Sequence, residues 1–321
     1  IHKFNEAELC PKFDVVFIDE AQDLSPIQWK MFEELKKHTK HMILAGDDDQ
    51  AIYAWAGADV KRFQNEKAKE IVLPQSYRVP RDVQHIANNI LDRIPDERRI
   101  KKEWEARDEQ GSVHHIMALE DVPLHEGKWL VLARYNDRLI KLKPHLMELG
   151  IYFEYKGRKS YKARLFSAIQ NFTRWTNGAQ LSLTECKDLF EYLGEEFLQK
   201  EERMYDLREF GYSHTDRWFD VFKTEHEDSL YIRNMLAQEE TLDAPARVNL
   251  STIHSAKGGE ADNVLLILDN TKNIREAIDR SPDKSDEENR IWYVGVTRTK
   301  QNLYIMAARK ESNGYDIESV H

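Results

Sequence analysis

Short apolar runs alternate with amphipathic segments along this chain. Residues 13–18, 42–45 and 129–133 are short, almost continuously apolar runs that predict strands. The run 13–18 is typical of a strand that is buried on both faces of a sheet. Apolar residues at helical spacing occur between these runs, and strands that alternate with helices indicate parallel pairing. The pattern therefore predicts an α/β fold built on parallel sheets.

Capping residues predict where several helices begin and end. Residues 25–28, Ser-Pro-Ile-Gln, combine an N-cap, a proline in the first turn and a glutamine at capping-box spacing. Pro80 predicts the start of a further helix. A helix predicted over residues 137–149 ends at Gly150, and Pro144 inside it predicts a kink or a break.

The middle of the chain differs from both ends. Residues 162–244 are charged, aromatic-rich and helical in their periodicity, whereas strand-like runs return at 248–253, 263–268 and 302–307. This order predicts a helical insertion within a second α/β domain. The charge-rich stretch 278–289 is interpreted as a surface helix or loop.

Composition narrows the class of protein. The 321 residues include 57 acidic and 47 basic side chains, a formal net charge of −10, and 41% of them are hydrophobic. That fraction supports real cores and excludes a disordered chain, while the longest apolar runs are too short to span a bilayer. Cys10 and Cys186 are too few for a disulfide framework or a zinc cluster, so we expect a reduced, cytoplasmic protein. Because the chain starts at Ile1 and soon enters a strand, we expect it to be a piece of a longer protein.

Polar residues directly follow four of the predicted strands. Asp19 and Glu20 follow the first strand, Gly46-Asp47 the second, and Arg134 and His254 two later ones. Ligands of open α/β sheets bind outside the carboxyl ends of the strands, so these four ends predict a shared cleft. The acidic pair suits Mg²⁺ and an attacking water, and its alternative is a solvated approach to the next helix.

Five segments carry a resemblance to a known family. They are 19–23 (Asp-Glu-Ala-Gln-Asp), 46–59 (Gly-Asp-Asp-Asp-Gln-Ala-Ile-Tyr-Ala-Trp-Ala-Gly-Ala-Asp), 75–78 (Gln-Ser-Tyr-Arg), 248–260 (Val-Asn-Leu-Ser-Thr-Ile-His-Ser-Ala-Lys-Gly-Gly-Glu) and 287–298 (Glu-Glu-Asn-Arg-Ile-Trp-Tyr-Val-Gly-Val-Thr-Arg). In this order they resemble motifs II to VI of the UvrD/Rep family of superfamily 1 DNA helicases. The second segment is more specific than the first, because a plain loop would rarely need its tyrosine and tryptophan.

The resemblance implies a nucleotide site for ATP and Mg²⁺. Asp19 would help to hold Mg²⁺, Glu20 would position and activate the hydrolytic water, and Gln50 would sense the γ-phosphate. Tyr77 would stack on the adenine, and Glu260 would accept a hydrogen bond from the ribose.

Two arginines would complete this site. By resemblance, Arg78 and Arg298 would reach the γ-phosphate from across the cleft, and guanidinium groups suit the charge that spreads over phosphoryl oxygens. Hydrolysis would then depend on closure of two domains. The alternative for Arg298 is a surface ion pair.

The resemblance also implies contacts with DNA. Trp55 would stack on bases, which is worth about 1–3 kcal/mol per base whatever the sequence, and its alternative is a core tryptophan. Arg134 with Asn136, and His254 with Ser255, would contact backbone phosphates. Residues 155–164, basic with interleaved aromatics, are either a lining of the DNA channel or an ordinary solvated turn.

The family's architecture would divide the chain into RecA-like domains. Residues 1–78 would be the end of the first, 1A, and residues 79–161 with 245–321 would form the second, 2A. Residues 162–244 would be a small helical 2B-like insertion. The implied partners are single-stranded and partly duplex DNA, the missing upstream part of the same polypeptide, and repair or replication proteins. No membrane is implied, and the expected location is a bacterial or phage-host cytoplasm.

The chain departs from the family pattern in several places. Ala56 stands where the family usually has arginine, and Gly259 and Ala261 replace larger apolar residues beside Glu260. The sequence contains no Gly-x-x-x-x-Gly-Lys-Ser/Thr loop, whose amides and lysine hold phosphates. We therefore expect these 321 residues alone not to hydrolyse ATP appreciably. The basic stretch 98–102 is interpreted as solvated surface.

Two other functions share some of these features. A helicase subunit of a recombination nuclease has the same motifs, but the acidic and lysine cluster of such a nuclease does not occur in the sequence. A non-catalytic nucleic-acid-binding remnant would have no use for both Arg78 and Arg298. The sequence therefore predicts an ATP-dependent DNA helicase, and the family's 3′ to 5′ direction of movement rests on the resemblance alone.

Overall fold

A computed structural model of the protein describes residues 10–240, 242 and 244–317. The predicted start at Ile1 and the last residues of the predicted second domain, 318–321, lie outside the described residues.

The chain forms two compact units. The larger unit holds the residues up to Pro123, Gly127–Leu139 and those from Ser251 onward, and the smaller unit holds Leu124–Glu126 and Ile140–Leu250. The predicted domain boundaries stay predictions.

A two-stranded parallel sheet begins the larger unit. Its strands are β1 (Phe13–Ile18) and β2 (Thr39–Leu44), and α1 (Pro26–Lys37) connects them. The backbone N–H of Ser25 donates to Gln28 Oε1 at 2.8 Å. This bond confirms the capping box that the sequence predicts at the start of α1.

The prediction that β1 is buried on both faces is wrong. Phe17 is 73% exposed, and Val15 is exposed as well. Phe13, Val15 and Phe17 alternate along β1 and therefore share one face, and within the described part of the chain no layer covers that face. Helix α1 is also only partly covered by other residues: Phe32 is buried, whereas Ile27 is exposed.

The second sheet has seven strands. They are β3 (Ser112–Ile116), β4 (Trp129–Ala133), β5 (Phe153–Tyr155), β6 (Arg158–Lys159), β7 (Val248–Thr252), β8 (Ala261–Ile267) and β9 (Thr299–Met306). The strand order is β3-β9-β8-β4-β7-β5-β6, and the described pairings are parallel except that of β5 with β6. This mostly parallel sheet confirms the predicted α/β fold.

Helices connect these strands. They are α2 (Val60–Gln64), α3 (Arg81–Leu91), α4 (Asn136–Glu148), α5 (Ala163–Thr176), α6 (Leu183–Leu193), α7 (Trp218–Val221), α8 (His226–Ala237), α9 (Lys272–Arg280) and α10 (Pro282–Val296). In the larger unit α3 packs against α10, and Val83, Ala87 and Ile90 are fully buried in the same hydrophobic cluster as Val294. Among the described residues no helix is long and apolar enough to cross a membrane.

The predicted break at Pro144 does not occur, because α4 continues through this residue. Proline lacks a backbone N–H, so only one hydrogen bond of the helix is lost at this residue. Later residues still form helical hydrogen bonds, and the N–H of Leu149 donates to His145 O at 3.1 Å. Gly150 ends the helix with a φ of 69°, as the sequence predicts. A side chain there would meet the backbone of Asn234 at 2.9 Å, so the position also needs glycine for space.

The charge-rich stretch 278–289 is mainly helical and exposed or half-buried up to Ser285, which agrees with the interpretation as a surface helix, but its last residues are not solvated. It covers the end of α9 and the first half of α10, and Asp286 and Asn289 are buried. Arg98 Nη1 lies 2.9 Å from Asp286 Oδ2, and Tyr315 donates from its hydroxyl to Asn289 Oδ1 at 2.8 Å. These partners come from distant parts of the chain, so a local charge pattern could not reveal the burial.

The smaller unit is mainly helical. Helices α5 and α6 pack together, and the β5–β6 hairpin pairs with β7 through β5. Ser182 N–H donates to Glu185 Oε2 at 2.8 Å, which forms a capping box at the start of α6. Helices thus dominate the segment that the sequence predicts to be a helical insertion.

Candidate functional site

Gln50 and Arg298 meet in the larger unit. Gln50 lies in the short 3₁₀ helix Asp48–Gln50 after β2, and Arg298 follows the end of α10. Arg298 Nη2 donates to Gln50 Oε1 at 3.1 Å across 248 positions of sequence. Arg298 is 1% exposed, and its Nε donates to Val294 O at 2.9 Å. The alternative of a surface ion pair for Arg298 is therefore wrong.

A second guanidinium lies beside the first. Burial, together with the nearby charge of Arg78, lowers the pKa of Arg298 to about 10, and burial also lowers the pKa of Arg78. Arg78 Nη1 lies 3.8 Å from Glu260 Oε2, and Lys300 Nζ lies 3.2 Å from Glu260 Oε1. Arg78 Nε is buried and has no hydrogen-bond partner within the described residues. Two cations at one carboxylate, with the guanidinium of Arg298 close by, leave an excess of positive charge, which fits a polyphosphate. Tyr77, the residue before Arg78, is exposed.

The acidic pair lies at the end of β1. Asp19 and Glu20 are both exposed, and Asp19 Oδ1 accepts the backbone N–H of Glu20 at 2.9 Å. Glu20 has a φ of 51°, which is uncommon for a residue other than glycine, and Gln22 Nε2 donates to Glu20 Oε2 at 2.5 Å. Mg²⁺ prefers oxygen ligands and keeps several waters, so the exposed carboxylate of Asp19 fits this ion.

Lys257 joins Glu20 of the acidic pair to Gln50, although no pattern in the sequence singles this lysine out. Its Nζ lies 3.0 Å from Glu20 Oε2, donates to Gln50 O at 2.9 Å and contacts the carboxylate of Asp23. The side chain of Lys257 is only 6% exposed. Burial raises the pKa of Asp23 even though the ammonium of Lys257 opposes the shift. One lysine in a loop has no periodicity, so pattern analysis has no signal for it.

The prediction that residues 98–102 are solvated surface is wrong. Arg99 is almost completely buried, and its Nη2 lies 3.0 Å from Asp49 Oδ2. Lys102 is mostly buried, and its Nζ lies 2.7 Å from Asp47 Oδ1. The acidic turn lies about fifty positions earlier in the sequence, so the basic run by itself did not show its partners.

Lys102 is the cation at the centre of the acidic turn. The carboxylates of Asp47, Asp48 and Asp49 lie close enough together to hold a cation, and the ammonium of Lys102 contacts all three. Burial alone would lower the pKa of Lys102, but these carboxylates raise it well above its usual value. Burial would likewise raise the pKa of Asp48, but Lys102 and other donors hold it below the usual range.

Tyr53, Trp55 and His254 form an aromatic cluster. The ring centroids of Tyr53 and Trp55 are each 6.2 Å from that of His254, and Tyr53 donates from its hydroxyl to His254 O at 3.0 Å. Trp55 is 71% exposed, so the alternative of a core tryptophan is wrong. Burial, with the charge of Arg134, lowers the pKa of His254 to about 4, and the imidazole is therefore neutral at pH 7.

Arg134 is paired with a buried carboxylate. Its Nε and Nη2 donate to Glu288 Oε1 at 3.0 Å and 2.6 Å, and Glu288 is buried in α10. A phosphate contact by Arg134 would therefore have to use its remaining donors or displace Glu288. Asn136, the other phosphate contact predicted near this strand end, is the first residue of α4.

The basic stretch 155–164 contains the β5–β6 hairpin. Lys143 Nζ lies 3.6 Å from the ring centroid of Tyr155, and Lys159 Nζ donates to Tyr161 Oη at 3.0 Å. These are contacts within the smaller unit, and both interpretations of the stretch, a DNA lining or a solvated turn, stay open.

Comparison with known proteins gives two family matches. The UvrD/REP helicase N-terminal domain model matches residues 5–70, and the UvrD-like helicase C-terminal domain model matches residues 139–310. Among curated relatives, the ATP-dependent DNA helicase PcrA of Staphylococcus epidermidis is 22% identical and that of Staphylococcus aureus 23% identical, each over 92% of this chain. Both matches cover 55% of the relative, so the chain spans about half the length of the curated relatives it matches.

Proposed function

The chain belongs to the UvrD/Rep family of superfamily 1 DNA helicases, and we propose that it is part of an ATP-dependent motor that moves 3′ to 5′ on single-stranded DNA and unwinds duplex. Its mostly parallel α/β sheet agrees with the RecA-like fold of such motors. The curated relatives are named as ATP-dependent DNA helicases, which supports the proposal for the whole polypeptide.

The observation that carries the proposal is the contact between Gln50 and Arg298 beside Arg78. The buried guanidinium of Arg298 is bonded to the neutral amide of Gln50 and lies near the guanidinium of Arg78. The negative charge around these two cations is too small to balance them. A γ-phosphate supplies the missing charge, and the charge on its oxygens is what a phosphoryl-transfer site must stabilise. We therefore propose Gln50, Arg78 and Arg298 as the contacts with the transferred phosphoryl group.

The acidic pair would carry out the remaining chemistry. Glu20 would orient the attacking water and accept its proton, and Asp19 would hold Mg²⁺. The ion, when bound, would neutralise charge on the phosphate oxygens. Tyr77, exposed next to Arg78, would stack on the adenine, and Glu260 would accept from the ribose.

One loop connects the nucleotide residues with the residues proposed to contact DNA. His254 and Lys257 both follow β7, and they contact Tyr53 on one side and Glu20 and Gln50 on the other. A base stacked on Trp55 would act on this loop through His254, and we propose that this contact makes hydrolysis respond to DNA. Arg134, Asn136 and His254 would contact the phosphates of the strand.

We further propose that these 321 residues do not hydrolyse ATP appreciably by themselves. They contain no glycine-rich loop with the lysine and hydroxyl that hold the β- and γ-phosphates in such motors. The missing upstream part of the polypeptide, and repair or replication proteins, stay proposed partners, as does the cytoplasm as location.

Displacement of streptavidin from biotinylated single strands tests movement and its direction. The full-length polypeptide with ATP is expected to displace streptavidin from the 5′ end of an oligonucleotide and not from the 3′ end. Displacement from the 3′ end alone would contradict the proposed direction. No displacement from either end, together with intact DNA binding, would favour the non-catalytic binding protein.

A further inference from the structure

Lys102 and Asp47 flank the side-chain amide of Gln50. Gln50 Nε2 donates to Asp47 Oδ2 at 2.7 Å, and Lys102 Nζ lies 2.7 Å from Asp47 Oδ1. At its other end the amide accepts through Oε1 from Arg298 Nη2 at 3.1 Å. Lys102, Asp47, Gln50 and Arg298 thus form one continuous series of polar contacts.

The chemistry of the two neighbours allows only one orientation of the amide. The carboxylate of Asp47 can only accept hydrogen bonds, so it must face the NH₂ group of Gln50. The guanidinium of Arg298 can only donate, so it must face the amide oxygen. An amide rotated by half a turn would place acceptor against acceptor and donor against donor, and both hydrogen bonds would be lost.

Lys102 fixes the carboxylate on which this orientation depends. Its ammonium also contacts Asp48 and lies 3.2 Å from Asp49 Oδ2, and both of these carboxylates are buried. The ammonium is therefore held by groups that cannot move into solvent. Asp47 is the least buried of the three carboxylates, and the contact with Lys102 holds it in place.

We propose that Lys102 is a positioning residue, which acts through Asp47 to hold Gln50 in the one orientation that contacts Arg298. The proposal rests on the proposed function, in which Gln50 and Arg298 contact the transferred phosphoryl group. It gives a role to a residue outside the five family-like segments, 55 positions after Asp47 in the sequence. The benefit is preorganisation, since an amide that is already oriented needs no rearrangement when charge develops.

Steady-state ATP hydrolysis with saturating single-stranded DNA tests this role in the full-length polypeptide. Lys102→Ala is expected to lower kcat by roughly 10- to 100-fold, the usual effect of removing a residue that orients a contact, with little change in KM for ATP. Lys102→Arg should restore most of the rate, because it keeps a cation at Asp47. Lys101→Ala is the matched control, since Lys101 is the exposed neighbour and pairs only with the exposed Asp96 among the described residues.

A double-mutant cycle separates positioning from a merely structural role. If Lys102 acts through Gln50, then Lys102→Ala should slow a Gln50→Ala enzyme by less than about 2-fold. If the kcat losses of the two single variants multiply in the double variant, the inference is wrong, while the proposed function stands. A folded Lys102→Ala variant with the kcat of the wild type would lead to the same conclusion. An inactive wild-type polypeptide would overturn the proposed function and the inference with it.

The inference stays testable if Lys102→Ala does not fold, which thermal unfolding would show. Asp47→Ala leaves Lys102 with its two buried carboxylates. It removes the link to Gln50, together with the hydrogen bond that Asp47 Oδ1 accepts from the N–H of Asp49 at 3.2 Å. This variant should lower kcat and show the same non-additivity with Gln50→Ala. If the kcat losses of Asp47→Ala and Gln50→Ala multiply in the double variant, Asp47 does not act through Gln50, and the inference is wrong.

Discussion

Trp55 is the exposed side chain on which the proposed contact with DNA depends most directly. Its ring lies beside His254 and is mostly open to solvent, so it can stack on a base without any change in the core. Residues of this kind affect binding and leave folding almost unchanged, and the two effects can therefore be measured separately.

Trp55→Ala is expected to weaken binding of single-stranded DNA by about 5- to 150-fold, since base stacking is worth about 1–3 kcal/mol. Fluorescence anisotropy with a labelled oligonucleotide at fixed salt measures the change in the full-length polypeptide. Leu198→Ala is a control of equal exposure, 70%, and should bind as the wild type does. Unchanged binding by Trp55→Ala, or a fall of many degrees in its Tm, would contradict the account.

His254 predicts a pH dependence of stability. Its pKa is about 4 when folded and near the ordinary 6.5 when unfolded, so between these values the unfolded chain binds a proton that the folded chain does not. Stability should therefore fall as the pH drops from 6.5 towards 4, and above pH 6.5 this contribution should be constant. At pH 5 the loss amounts to at most about 2 kcal/mol, reduced by solvent screening because the ring is only partly buried.

Urea unfolding of wild type and His254→Gln at pH 7 and pH 5 measures this contribution. The wild type should lose more of its free energy of unfolding over this range than the variant does. Equal losses would show that His254 does not titrate as its buried position requires.

At the scale of elements, sequence patterns predicted where helices begin and end better than they predicted which side chains are buried. The capping boxes at Ser25 and Ser182 and the glycine stop at Gly150 were predictable because they depend on neighbours in sequence. The burial of Lys102 and of Glu288 depends on partners more than fifty positions away, and no local pattern contains them. Sequence thus gave the helices and strands of the site and its motif residues, but not the contacts that hold these residues.

The buried ion pair between Glu288 of α10 and Arg134 gives a prediction about stability. Glu288→Ala would leave the mostly buried guanidinium of Arg134 without its carboxylate, which is expected to lower the free energy of unfolding by about 3–5 kcal/mol. Glu287→Ala, one position earlier, removes a partly exposed ion pair with Lys284. This variant should change the free energy of unfolding by no more than about 0.5 kcal/mol. Urea unfolding of both variants measures the difference, and similar effects would contradict the burial of the pair.

At the scale of the whole molecule, the fold class followed from apolar runs between amphipathic segments, and the family followed from five ordered segments. The exposed face of β1 was the exception, because a run of apolar residues does not tell how many layers cover it. Family membership also does not give the direction of movement, the pathway or the activity of these residues alone.

The central claim, that this chain is part of a DNA-dependent ATP hydrolase, is tested most directly by the rate of ATP hydrolysis with and without single-stranded DNA. The full-length polypeptide should be strongly stimulated by DNA, and its Glu20→Gln variant should lose that rate while still binding DNA. The 321 residues alone should hydrolyse ATP negligibly. A folded, DNA-binding full-length protein without turnover would contradict the account, and so would a Glu20→Gln variant as fast as the wild type.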